Sequence, residues 1–101
     1  MSLDGDVALV TGASRGIGQA IARELGRQGA TVVGTATSEA GAAAIGESLE
    51  AAGIPGGGRA LDVRDSAGVD ALVKSVAADF GPITVLVNNA GITRDNLLMR
   101  R

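Results

Sequence analysis

The chain has 101 residues, 46% of them hydrophobic and 20% charged, with a formal net charge of −2. That length suits one small domain with a core of its own and is too short for two, and the composition is that of a globular chain, neither disordered nor collagen-like. Cys, His, Tyr and Trp are absent, which excludes the usual zinc, iron-sulfur, thiolate and imidazole chemistries together with disulfides.

Val7-Ala8-Leu9-Val10 is a short apolar run that ends in a Thr-Gly turn, the pattern of a strand buried on both faces. From Ile17 the spacing becomes helical, with Ile17, Ile21 and Leu25 on one face, and Gly29 supplies the stop. Thr31-Val32-Val33-Gly34-Thr35 repeats the strand signal, and the Ala-rich stretch from about Glu39 to Ala52 repeats the helix, ended by Gly53. Ile54-Pro55-Gly56-Gly57-Gly58 reads as loop by composition, and it leads to a third strand at Arg59-Ala60-Leu61-Asp62-Val63. Val69, Leu72, Val73, Val76 and Phe80 form the clearest amphipathic stripe, closed by Gly81-Pro82. Ile83-Thr84-Val85-Leu86-Val87 is a fourth strand, running into Asn88-Asn89-Ala90-Gly91.

Regular alternation of strand and helix with short connections predicts right-handed crossovers and a parallel sheet covered by helices on both faces. The expected class is therefore α/β: a partial Rossmann, doubly wound sheet in strand order 3-2-1-4. A further helix is expected from Asn96, capped by Asp95. The whole of residues 1-101 reads as the amino-terminal part of a single domain that continues in a longer protein.

Thr11-Gly12-Ala13-Ser14-Arg15-Gly16-Ile17-Gly18 lies between a predicted strand and a predicted helix, which is the context a dinucleotide motif requires. Gly12, Gly16 and Gly18 allow backbone to approach a pyrophosphate, and the following helix points free N–H groups and its positive dipole end at the anion. Sites that prefer NAD place an acid about 20 positions beyond these glycines for the ribose 2′-hydroxyl; here the chain has Thr35-Ala36-Thr37-Ser38. A 2′-phosphate meets no repulsion there. Arg15 offers it a charge-assisted bond, with hydroxyls from Ser14 and Thr37, so NADP(H) is the expected cofactor. The alternative is that Arg15 is a solvated loop charge and that Glu39 binds the ribose.

At this point the sequence resembles the classical short-chain dehydrogenase/reductase family, through its TGxxxGxG turn (Thr11 to Gly18), the acid Asp62 at the end of the third strand and the Asn-Asn-Ala-Gly block (Asn88 to Gly91). The resemblance implies that Gly12, Ala13, Ser14, Arg15, Gly16, Ile17 and Gly18 cradle the phosphates with Thr37 beside them. It implies that Asp62 accepts a hydrogen bond from the adenine amino group with Val63 beside the ring. Asn89, Ala90 and Gly91 would line the adenosine side, while Asn88 ties the central strands together. Within the family, Gly34 to Ser38 and Asn88 to Arg100 look like the 3-oxoacyl-acyl-carrier-protein reductases. That likeness implies an NADPH-dependent reduction in fatty-acid synthesis, on a substrate carried by acyl carrier protein, by a full-length protein that is commonly a tetramer.

The family's catalytic Tyr, its partner Lys, the substrate Ser and a later Asn cannot be assigned. The chain has no Tyr, and its one lysine, Lys74, falls on the polar side of a predicted helix. No catalytic residue and no metal ligand is therefore expected in this segment. The nine basic residues are scattered, so no nucleic-acid partner is expected. No apolar run approaches the roughly 20 residues of a membrane span and the first residues do not form a signal peptide, so a cytoplasmic location is expected. Two other functions stay open: a related reductase of the acetoacetyl-coenzyme A type, and a non-catalytic nucleotide-binding module.

Overall fold

The computed structural model describes residues 2–14, 16–62 and 64–89. The expectations placed on Arg15, on Val63, on Ala90 and Gly91, and on a helix from Asn96 lie outside the described residues. The elements run β1 (Val7–Thr11), α1 (Gly16–Arg27), β2 (Thr31–Ala36), α2 (Glu39–Ala51), β3 (Gly56–Ala60), α3 (Ser66–Phe80) and β4 (Val85–Asn88). The four strands form one sheet in the order β3-β2-β1-β4, and every neighbouring pair is parallel.

Alternation along the central strands divides the core in two, because successive side chains on a strand point to opposite faces. Ala8 and Val10 of β1 join Val32 and Ala36 of β2, Ala22 of α1, and Ile45 and Leu49 of α2. Val7 and Leu9 join Val33, Leu61 and the α3 residues Val69, Leu72 and Val76. Two helices thus cover one face and α3 the other, as expected of a doubly wound sheet. Arg59 anchors α3 to the edge strand, with its Nη2 2.8 Å from Asp79 Oδ2 and its guanidinium carbon 6.0 Å from the Phe80 ring centre.

The α3 stripe is as the periodicity predicts, with Val69, Leu72 and Val76 buried and Val73 and Phe80 packed against them. The face of α1 is not. Ile17 is 73% exposed, and the buried positions are Gly18 and Ala22, with Leu25 packed against the core. The helix approaches the sheet on small residues: a Cβ on Gly18 would overlap the Gly12 carbonyl, and one on Gly26 would lie 2.5 Å from Ile54 Cδ1. Close approach selects residues without bulk, so the apolar periodicity misplaces Ile17 and passes over Gly18 and Ala22.

The third strand occupies Gly56–Ala60, not Arg59 to Val63, and the three glycines expected to be loop are most of it. They pair with Val32, Val33 and Gly34. A Cβ on Gly56 would overlap the Val32 carbonyl, and one on Gly58 would overlap the Ala42 carbonyl of α2. Glycine in this strand marks the close seating of α2 on the sheet edge, not a flexible link. The fourth strand begins at Val85, two residues later than expected. Thr84 instead uses both backbone and side chain at the strand entrance: its N–H donates to Val7 O at 2.9 Å, and its Oγ1 accepts from Val7 N at 3.0 Å.

Candidate cofactor site at the carboxyl edge of the sheet

Because all four strands are parallel, their carboxyl ends form one edge of the sheet. The residues that directly follow β1, β2, β3 and β4 are Gly12, Thr37, Leu61-Asp62 and Asn89. The order also reverses at this edge, with β2 on one side of β1 and β4 on the other, and such a switch point opens a crevice for ligands in doubly wound sheets.

The glycine turn is held from two directions. Thr11 is fully buried, and its Oγ1 donates to Val87 O at 3.4 Å while accepting from Asn89 N at 3.0 Å. Asn89 Nδ2 donates to Gly12 O at 3.0 Å. Gly18 closes the clamp from the helix side, since a Cβ there would strike the Gly12 carbonyl and stand 2.6 Å from Asn89 Nδ2. Asn88 pairs in register with Thr11. Asn89 and Thr11 thus tie the turn to β4 through their side chains.

Gly12 and Gly16 have φ of +66° and +63°, a conformation that L side chains disfavour. At Gly16 the position a Cβ would occupy has none of the described residues within 4 Å; the chain needs glycine there for its backbone. Gly16 and Ile17 are both exposed at the start of a 12-residue helix with no acidic residue in its first turn. The first N–H groups and positive end of that helix therefore face no carboxylate from its own first turn.

On the other side the turn is joined to β2. Ala13 N donates to Thr35 O at 2.9 Å, and Ala13 is buried with its Cβ 2.7 Å from where a Cβ on Gly34 would stand. Ser14 Cβ lies 3.8 Å from the corresponding point on Gly41, so Ser14 sits beside the entrance of α2. Thr37 is exposed there. Ser38 is the helix cap, its Oγ accepting from Gly41 N at 3.0 Å; a Ser directly before a helical run carries that signal in the sequence. Glu39 is exposed in the first turn of α2, where the helix dipole favours a carboxylate without any ligand.

Asp62 follows the end of the β2 and β3 pairing, which Leu61 N extends by donating to Ala36 O at 2.8 Å. Its carboxylate accepts from Arg64, a residue the sequence reading passed over. Arg64 N and Nε lie 3.0 and 3.2 Å from Oδ1. The side-chain bond from Arg64, and then its backbone N–H, hold the Asp62 carboxyl below the usual carboxylate range, and the same pairing raises the guanidinium. Lys74 is exposed within α3. Among the described residues no group of His, Cys, Asp and Glu could hold a metal ion, and no helix is long and apolar enough to cross a membrane.

A parallel sheet in this order, with a glycine turn clamped between its first strand and first helix, is a Rossmann-type α/β fold. The chain belongs to the short-chain dehydrogenase family, whose model matches residues 6–100. It is 60% identical over 100 residues to the 3-oxoacyl-[acyl-carrier-protein] reductase FabG of Pseudomonas aeruginosa. The identity is 61% to the FabG of Vibrio harveyi and 56% to that of Escherichia coli, each over 100 residues. In all three cases the match covers 99% of this chain and 40% of the relative, so the chain spans about 40% of the length of the curated relatives it matches.

Proposed function

We propose that this chain is the cofactor-binding part of an NADPH-dependent 3-oxoacyl-acyl-carrier-protein reductase of fatty-acid synthesis. The observation that carries the proposal is the clamped glycine turn: Gly12 and Gly16 at positive φ, no described residue within 4 Å of where a Gly16 Cβ would stand, and a helix whose first turn holds no acid. This is a cradle for a pyrophosphate. The reductase class is supported by the family match and by relatives that carry that name.

In this reading Gly12, Ala13, Gly16, Ile17 and Gly18 hold the pyrophosphate, and Ser14, Arg15 and Thr37 hold the 2′-phosphate. The adenine meets Asp62 and Val63, and the adenosine side meets Asn89, Ala90 and Gly91. The nearness of Ser14 to the entrance of α2 supports the second grouping, since one phosphate can then be reached from the turn and from the end of β2. The cofactor, when bound, supplies a hydride to the 3-keto carbon. This segment binds and orients it; proton delivery to the carbonyl oxygen falls to residues of the longer protein, because the segment has no Tyr. We assign the longer protein an acyl-carrier-protein-bound substrate, a cytoplasmic location and a homotetrameric state.

The test is a titration of the protein with NADPH and with NADH, followed by the fluorescence of the reduced nicotinamide, which this Trp-free and Tyr-free segment does not obscure. NADPH should bind more tightly, and Arg15→Ala should narrow the gap by about 1–3 kcal/mol, the worth of a charge-assisted bond. Equal affinities in the unmutated protein would refute the assignment and favour Glu39 as a ribose ligand.

A further inference from the structure

The acid assigned to the adenine does not stand alone. Leu61 N donates to Ala36 O at 2.8 Å, and Asp65 N donates to Asp62 O at 2.9 Å, so Asp62 sits in a turn fixed at the carboxyl edge. Within that turn Arg64 reaches back over the carboxylate. Its backbone N–H and Nε both donate to Oδ1, at 3.0 and 3.2 Å, and Nη2 lies 3.4 Å from Oδ2. An ionised carboxylate has about four acceptor positions; from the described residues Oδ1 accepts two bonds and Oδ2 one long one. A planar guanidinium laid across both oxygens sets the plane of the carboxylate as well as its charge.

We infer that Arg64 is a positioning residue for the base of the cofactor: it holds Asp62 with Oδ2 free to accept a further bond, and so makes the site select a 6-aminopurine over a 6-oxopurine. The inference rests on the reading of Asp62 as the acid that meets adenine. The chemistry is that of donor and acceptor matching. An exocyclic amino group donates to Oδ2, whereas a 6-oxo group presents a second acceptor, and two oxygens without a proton between them repel. The fork matters because a carboxylate free to rotate offers the oxo base a less hostile orientation. As an ionised carboxylate Asp62 is acceptor-only near neutral pH; what Arg64 adds is the orientation.

The side chain of Arg64 is 88% exposed, so its replacement leaves the core intact. The experiment titrates the purified protein with NADPH and with nicotinamide hypoxanthine dinucleotide phosphate, the same molecule with a 6-oxopurine, again through nicotinamide fluorescence. The unmutated protein should prefer NADPH, and Arg64→Ala should narrow that preference by about two- to fivefold, the scale of an exposed charged pair, with unchanged circular dichroism. Arg64→Lys keeps the charge without the fork and should recover only part of the preference. An unchanged ratio in Arg64→Ala overturns the inference. So does tighter NADPH binding by that variant, which would make Arg64 a competitor for Asp62, and so does full recovery by Arg64→Lys, which would make charge alone sufficient. If the unmutated protein binds neither compound, the cofactor reading itself fails; if it binds both equally, the role of Asp62 fails.

Discussion

Gly18→Ala tests the clamp most directly. The added methyl would overlap the Gly12 carbonyl oxygen and stand 2.9 Å from its carbon and 2.6 Å from Asn89 Nδ2. Two of those neighbours are backbone, so α1 must move off the sheet or the turn must shift. Overpacking of this kind costs about 1–3 kcal/mol. The bond from Asn89 to Gly12 should weaken with it, a loss of about 1 kcal/mol. Alanine returns roughly 1 kcal/mol through its better helix propensity. The balance is a destabilisation of about 2 kcal/mol, which for a domain of this size lowers the melting temperature by roughly 8–16 °C. Gly46→Ala is the internal control: it too lies within a helix, but its Cβ would meet only Gly58 N at 3.8 Å. That variant should be neutral or more stable by up to about 1 kcal/mol. Thermal and urea unfolding followed by circular dichroism compare the two. A Gly18→Ala protein as stable as Gly46→Ala would refute the close approach of α1 to the turn.

Thr11→Val keeps the shape of a fully buried side chain but removes the hydroxyl to which Asn89 N donates; unfolding should show a loss of about 0.5–1.5 kcal/mol, the net worth of a hydrogen bond, and a loss below experimental error would mean that the hydroxyl is dispensable. The Asp62 carboxyl, depressed in the folded chain by Arg64, should titrate by NMR with a midpoint below 3.8, its ordinary value, and move upward in Arg64→Ala. Because the folded value is the lower one, the contribution of this pair to stability is present above the ordinary value and is lost as pH falls through the folded one. A midpoint unmoved by the substitution would show that the pair does not persist in solution.

Much of this protein is written in local pattern. The run from Val7 to Val10 alternates between two faces that are both covered, and a strand needing apolar residues at every position announces itself without its neighbours. The stripe from Val69 to Phe80 does the same for α3. The alternation of elements was enough to fix the sheet order, since short right-handed connections leave few alternatives. The glycine turn was legible because its backbone demand, positive φ at Gly12 and Gly16, leaves glycine as the favoured choice.

What tertiary structure alone decided lies wherever one segment's residue choice answers to another segment's position. Gly56 and Gly58 read as loop because nothing near them in the chain reveals that β2 and α2 press against their backbones. Ile17 was assigned to the buried face because apolar periodicity assumes that bulk points inward, whereas α1 meets the sheet on Gly18 and Ala22. The bonds that Asn89 donates to Thr11 and Gly12 join residues 78 and 77 positions apart, and a link of that span has no local signature. A hydroxyl, an amide and a glycine become one clamp only after β1 and β4 are laid side by side, because hydrogen bonds and steric exclusion depend on distances that folding sets.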